Sequence, residues 1–202
     1  MTINSIYNKM LVNRKEKKLT MKLDYTLLYK LFCSCYKNGF DLLVEAKLLY
    51  ENERYTRAYT LAHLSFEELG KLPMINTYMY KVVHGSQYDV QHLMKRMRDH
   101  KEKIQVSHFT SDLFSNEDID LTDNRKLNQY INEMNNMKNN SIYVGLNNGT
   151  ISIPNDVVTK QKAEKMIEMS TMHATFHSHF SQLSEEELKK LHSDDLYKLL
   201  IR

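Results

Sequence analysis

Scarcity of turn residues constrains this chain more than any other feature: 5 glycines and 2 prolines stand among 202 residues, where typical usage would supply roughly 14 and 10. Folds made of many short strands need a turn every few residues, and turns draw on glycine and proline. A sandwich, barrel or propeller is therefore disfavoured, and an all-α fold is expected. With 42% hydrophobic and 26% charged residues, the chain can bury a core, and disorder of the whole is not expected.

Apolar spacings of three and four mark out the helices. Leu27, Leu28, Leu31 and Phe32, then Leu42, Leu43, Ala46, Leu49 and Tyr50, predict two helices or one bent helix with its break at Asn38-Gly39. A helix from about Arg54 to Gly70 carries Ala58, Leu61, Ala62, Ser65 and Leu69 as its inner stripe, and the small residues admit a close neighbour. Pro73 starts another helix that His84-Gly85-Ser86 ends. Val90 to His108 reads as one strongly basic helix, and Ser111 to Asp120 as an acidic connection. Leu121 to Met137 keeps the helical spacing and runs into an Asn-rich patch, Asn132 to Asn140, read as a loop. Ser141–Val144 and Thr150–Ile153, on either side of Asn147-Asn148-Gly149, predict one hairpin. Pro154 opens a helix to about Phe180, and Ser184 with Glu187 makes a capping box for a last helix ending near Leu200. The expected organisation is a polar N-terminal arm over residues 1–22 and a single helical domain over 23–202, a helical bundle with one short β-hairpin at about 141–153.

The balance of 28 basic against 25 acidic residues gives +3, too mild by itself to mark a nucleic-acid binder. No apolar run approaches the roughly 18 residues of a membrane span, and no secretory leader is evident, so a cytoplasmic protein with no membrane contact is expected. Cys33 and Cys35 are two apart, pointing some 200° from each other on a helix, and read as free thiols. No cofactor motif is present.

Two stretches carry candidate chemistry. In the first, Glu67, Glu68 and Lys71 end the helix with the small-residue stripe. Glu67 and Lys71 can pair as a surface couple, or one of the two acids faces inward and holds a cation or a polar network. In the second, Arg96 and His100 are four apart and Lys103 three further on. On one helix these form a row suited to a phosphodiester, or else part of a solvated basic face. Lys95, Arg98 and Lys101 extend that patch. A zinc site can be drawn through His173, His177 and His179, but no cysteine lies nearby, and a histidine cluster without metal is expected.

The pattern Arg57-Ala58, Leu61-Ala62, then Glu67-Glu68-Leu69-Gly70-Lys71 resembles the hallmark helix of the AbiV family of abortive-infection proteins. His100 with Lys103 is similar to that family's His, two residues, Lys motif. Lys138 through Ser141-Ile142-Tyr143-Val144, followed by Pro154, resembles its hairpin segment, with Gly145 where the family tends to carry Asp. The likeness extends from about Leu42 to Ala174.

The resemblance implies a HEPN-like helical core, a homodimer, and an antiphage role in which the infected cell shuts down its own gene expression. Many HEPN relatives are metal-independent ribonucleases whose signature is Arg, four to six residues, then His. Only Arg57 with His63 has that spacing here, and on an unbroken helix the two turn away from each other. Arg96 and His100 fall one residue short but share a face, so both pairs stay open. In the enzyme reading His100 moves a proton, Arg96 and Lys103 bind phosphate, and Glu67 or Glu68 orients the site. Arg98, Lys101, Lys71 and Tyr143 are the substrate-contact candidates. The activator is expected to be a phage-encoded protein or RNA, and the target host RNA or the translation machinery. The alternative is a non-catalytic module that binds a phage protein through the hairpin around Tyr143 and the Met-rich helices, the complex then blocking translation.

Overall fold

Asp24 caps the first helix, its side chain accepting the Leu27 amide at 2.8 Å and satisfying a donor that helix geometry leaves free. From there α1 (Tyr25–Glu51) runs without interruption in the computed structural model, which describes residues 23–112, 124–147 and 149–194. It is followed by α2 (Tyr55–Leu69), α3 (Lys71–Val83), α4 (Val90–Arg98), α5 (His100–Asp112) and α6 (Asn124–Ile142). Next come the strands β1 (Gly145–Asn147) and β2 (Thr150–Ser152), then α7 (Pro154–Val157), α8 (Lys160–Gln182) and α9 (Glu185–His192). The fold is an all-α bundle with one late hairpin, as expected.

Helix α2 is the axis of the assembly, with α1, α8, α6 and α5 packed around it, while α3 lies against α1 and meets α9. One apolar cluster gathers Leu28, Phe32, Leu43, Leu69, Ile75, Met79 and Leu188. A second gathers Ala58, Ala62, Phe66, Ile104, Ile131 and Met166 from α2, α5, α6 and α8.

The break expected at Asn38-Gly39 does not occur. Gly39 is a point of contact: a β-carbon there would lie 2.8 Å from Leu69, and its carbonyl accepts Ser65 Oγ at 2.6 Å. Ser65 Oγ also lies 2.6 Å from Ser170 Oγ, so small polar residues draw α1, α2 and α8 together.

The single basic helix expected over Val90 to His108 is two helices. The chain turns at Asp99 (ψ 113), whose carboxylate accepts the Lys101 and Glu102 amides at 2.9 and 3.2 Å and so starts α5 afresh. The Asn-rich patch is helix, not loop, because Leu127, Ile131, Met134 and Lys138 recur on the buried face of α6. That helix absorbs Ser141 and Ile142, so the first strand is Gly145–Asn147, later than the β-rich run Ser141–Val144. Leu146 faces Ile151 across the hairpin, and Gly149 takes the positive φ of 79 that a two-residue turn requires. The helix expected from Pro154 to Phe180 is interrupted after α7 and restarted by Thr159, which caps α8. The capping box at Ser184 and Glu187 is present. The arm over residues 1–22, the acidic connection beyond residue 112 and the end of the last helix near Leu200 lie outside the described residues. No described helix is long and apolar enough to cross a membrane.

Candidate functional site

Of the two adjacent acids, the one that turns inward is Glu67, 2% exposed beside the small residues of α2. Its carboxylate is the centre of a cluster built from three separate parts of the chain. Lys103 Nζ on α5 donates to Oε2 at 2.9 Å, and Lys138 Nζ on α6 donates to Oε1 at 2.9 Å. His100, the first residue of α5, brings Nδ1 to 2.5 Å from Oε2. His63, one turn before Glu67, lies with Nε2 3.4 Å from Oε1.

Local sequence explains how each group arrives. The restart at Asp99 places His100 and Lys103 on the first turn of a new helix, three residues apart and thus on one face. Gly70 lets that helix come close: a β-carbon there would sit 2.7 Å from the Lys103 carbonyl and 2.2 Å from Ser107 Oγ. Ser107 Oγ then donates to the Phe66 carbonyl at 2.8 Å, pinning α5 to α2. Helix α6 is held at its end by Thr60 and Ser141, whose hydroxyls lie 2.9 Å apart, one turn beyond Lys138.

The electrostatics follow from burial. Removing Glu67 from water would push its carboxyl up, but hydrogen bonds from His63, Lys103, Lys138 and His100 outweigh that and hold it well below the usual carboxylate range. Burial holds His63 below the ordinary histidine value against the pull of Glu67, so it is neutral at pH 7. One carboxylate against two lysines leaves the cluster with an excess positive charge. The carboxylate can only accept, so at 2.5 Å His100 Nδ1 serves as donor to Glu67, while the Lys138 ammonium lies 3.2 Å from the same nitrogen. In the Nδ1–H tautomer the lone pair is on Nε2. His100 is the exposed member, its side chain 56% accessible against 9% and 6% for Lys103 and Lys138.

The remaining candidates lie elsewhere. Arg96 and His100 do not share a helix, and Arg96 Nε is bonded to Glu102 on α5. Arg98 and Lys101 are exposed on either side of the Asp99 turn. Lys71 pairs with Glu68 at 2.6 Å, not with Glu67. Tyr143 is exposed beyond the end of α6. Arg57 is exposed in a polar concavity with Arg54, Thr56 and Asn155, whereas His63 is fully buried, so the two do not face one site. Sequence reasoning names Lys138 only in the hairpin segment and His63 only with Arg57, and joins neither to Glu67. A signal existed for Lys138, which occupies an inward position seven and four residues after Ile131 and Met134 when α6 is continued. Cys33 and Cys35 are free thiols, and burial pushes Cys35 up to about 12. His173 and His177 are buried, while His179 is exposed. Among the described residues no three histidine, cysteine, aspartate or glutamate side chains are arranged to hold a metal ion.

The chain matches the family model described as AbiV over residues 28–175. No curated protein and no solved structure matches it. The matched span contains Glu67, His63, His100, Lys103 and Lys138, so the whole cluster lies inside the region that defines the family. The chain belongs to the AbiV family of HEPN-type abortive-infection proteins.

Proposed function

We propose that this protein is a latent, metal-independent HEPN-type ribonuclease that shuts down gene expression in the phage-infected cell. One observation carries the reading: a buried carboxylate holds an exposed imidazole by Nδ1, with two lysines beside it. That is the arrangement of a general base with its tautomer fixed. Nε2 of His100 accepts the proton of an RNA 2′-hydroxyl as that oxygen attacks the adjacent phosphorus. The bond to the 5′ oxygen breaks, the imidazolium returns its proton to the leaving oxygen, and a 2′,3′-cyclic phosphate remains. Excess positive charge from Lys103 and Lys138 favours the charge building on the phosphoryl oxygens, and exposed Arg98 and Lys101 lie beside His100 in sequence to meet the RNA backbone. Glu67 acts through His100 and is a positioning residue. Latency fits the geometry as well, since both lysines are engaged by Glu67.

The test follows RNA integrity, protein synthesis and phage protection after infection, comparing wild type with His100→Ala. The reading requires RNA fragments that appear with wild type, and their loss by about 10²-fold or more in the variant, with protection lost as well. Intact RNA in both strains with synthesis still arrested would overturn it. That outcome would favour the non-catalytic module binding a phage protein, a reading supported by the exposed apolar side chains Tyr143, Val144 and Leu146 around the hairpin.

A further inference from the structure

A cavity of about 460 Å³ lies where α1 hands over to α2, lined by residues 53–57 of that junction and by Asn155 and Val158 at α7. Small-molecule sites run from about 300 to 1,000 Å³. Arg57 precedes Glu67 by ten residues on one helix, about 15 Å at a rise of 1.5 Å each, so the cavity is separate from the cluster around His100. Its walls are fixed. Glu53 donates its amide to the Tyr50 carbonyl at 3.0 Å and Arg54 donates to Leu49 at 2.8 Å. These bonds hold Glu53 at φ 57, a left-handed conformation that a residue with a long side chain keeps only where its surroundings impose it. Thr56, which is buried, donates to Asn155 Oδ1 at 2.8 Å and ties α2 to α7. The Tyr55 ring is braced by that of Tyr50, 5.3 Å between centroids, and by Lys160 Nζ at 6.0 Å.

We infer that this cavity binds a nucleoside phosphate. The donors set the class of ligand. Arg54 and Arg57 both line it, and no described carboxylate makes an ion pair with either, in contrast to Arg96, which Glu102 engages. Two guanidinium forks without acidic partners match the oxygens of a phosphate. With Asn155 Oδ1 taken by Thr56, the amide NH2 of Asn155 is left to donate as well. A sugar and a base give the remaining groups a purpose, because the Glu53 carboxylate accepts from hydroxyl or amino groups and Tyr55 supplies an aromatic wall. Inorganic phosphate alone would sit beside a like charge at Glu53 and leave most of the cavity unfilled. A polynucleotide is tracked by a positively charged groove along its backbone, whereas two arginines against one carboxylate suit a single short phosphate chain. Binding here does not depend on the ribonuclease reading of the Glu67 cluster.

Equilibrium dialysis of the full chain tests the inference, with the ribonucleoside 5′-mono- and diphosphates, the matching nucleosides, inorganic phosphate and a short single-stranded RNA as probes. At least one nucleoside phosphate is expected to bind about 10-fold or more tightly than its nucleoside and than inorganic phosphate. Arg54→Ala/Arg57→Ala should weaken that binding by at least about 10-fold, and His100→Ala should leave it unchanged. No nucleotide bound at millimolar concentration, binding indifferent to the arginines, equal loss in His100→Ala, or RNA bound through the arginines where nucleotides are not would each overturn it. Both arginines are exposed, so the double variant should keep its helical circular dichroism. Should it unfold, Arg57→Lys decides, since it keeps the charge and loses the planar fork. Weaker nucleotide binding by that variant supports the site, and unchanged binding refutes it. RNA cleavage is scored separately, so nucleotide binding without cleavage defeats only the ribonuclease reading.

Discussion

Glu67 and His173 are both buried to within 2% exposure, yet one is held charged and the other neutral. Glu67 keeps its charge because four donors on three helices converge on two oxygens. His173 has the Ser107 carbonyl as acceptor for Nε2, but its surroundings are the rings of Phe66 and His177, and burial pushes it down to about 4. His177, among Phe32, Phe176 and Phe180, is likewise held well below the ordinary value by burial. Helix α5 serves both regions, offering Lys103 to one and the Ser107 carbonyl to the other. Partners set against burial decide which groups stay ionised: four donors outweigh burial at Glu67, while burial outweighs the single carboxylate beside His63 and leaves His173 neutral.

Breaking the charged region should have the larger effect. Glu67→Gln leaves Lys103 and Lys138 buried without a carboxylate and should cost about 3–5 kcal/mol, read from urea unfolding at pH 7. A loss below about 1 kcal/mol would mean that the lysines swing out to water and the cluster is not a buried network.

The neutral region separates from the charged one on the pH axis. His173 is unprotonated when folded but titrates near 6.5 when unfolded, so its contribution is complete above pH 6.5 and is lost as pH falls towards 4. A shift from 6.5 to about 4 corresponds to about 3 kcal/mol. His192, pushed down to about 4 by burial, adds a loss over the same range. Glu67 acts lower, because a carboxyl held below its ordinary 4.5 loses its contribution only as pH falls beneath that value. His173→Phe should therefore make the stability profile less steep between pH 6.5 and 4, with His63, His177 and His192 still contributing there, and leave the loss below 4.5 that Glu67 adds. An unchanged profile would show that His173 is not the group taking up that proton.

Gly70→Ala sharpens the comparison where the two regions share α5. The added methyl meets Ser107 Oγ and the Lys103 carbonyl, and overpacking of this kind costs about 1–3 kcal/mol. Thermal unfolding reads the loss, and a crystal structure of the variant should show α5 displaced from α2. The smallest effect belongs to Glu68→Gln. Its pair with Lys71 is partly exposed on both sides, so a double-mutant cycle should give no more than about 1 kcal/mol. The contrast with Glu67 then comes from adjacent residues of one helix.

Much of this was legible in the residues. The missing turn residues predicted helices, and the stripe Ala58, Ala62, Ser65 beside Glu67 and Glu68 made an inward-facing acid one of two readings, the other being a surface pair of Glu67 with Lys71. What failed was local. Gly39 was read as a break because glycine weakens helices, but neighbouring Leu69 needs the space a side chain would fill. Asp99 sits in a basic run with unbroken helical spacing, so its capping role was hidden by its neighbours. Lys138 was obscured by the asparagines around it, which are poor helix formers held helical by the apolar face beneath them. His63 was weighed only as a partner for Arg57, and burial on one side with exposure on the other excludes that pairing.

Positions 67, 103 and 138 are far apart in the chain, and that spacing has a consequence during synthesis. A growing polypeptide that has emerged only as far as α5 holds Glu67, His100 and Lys103 but not Lys138. Its carboxylate then has one lysine where the finished protein supplies two. Whatever the assembled cluster does, an unfinished or truncated chain lacks the parts to do it until α6 has left the ribosome.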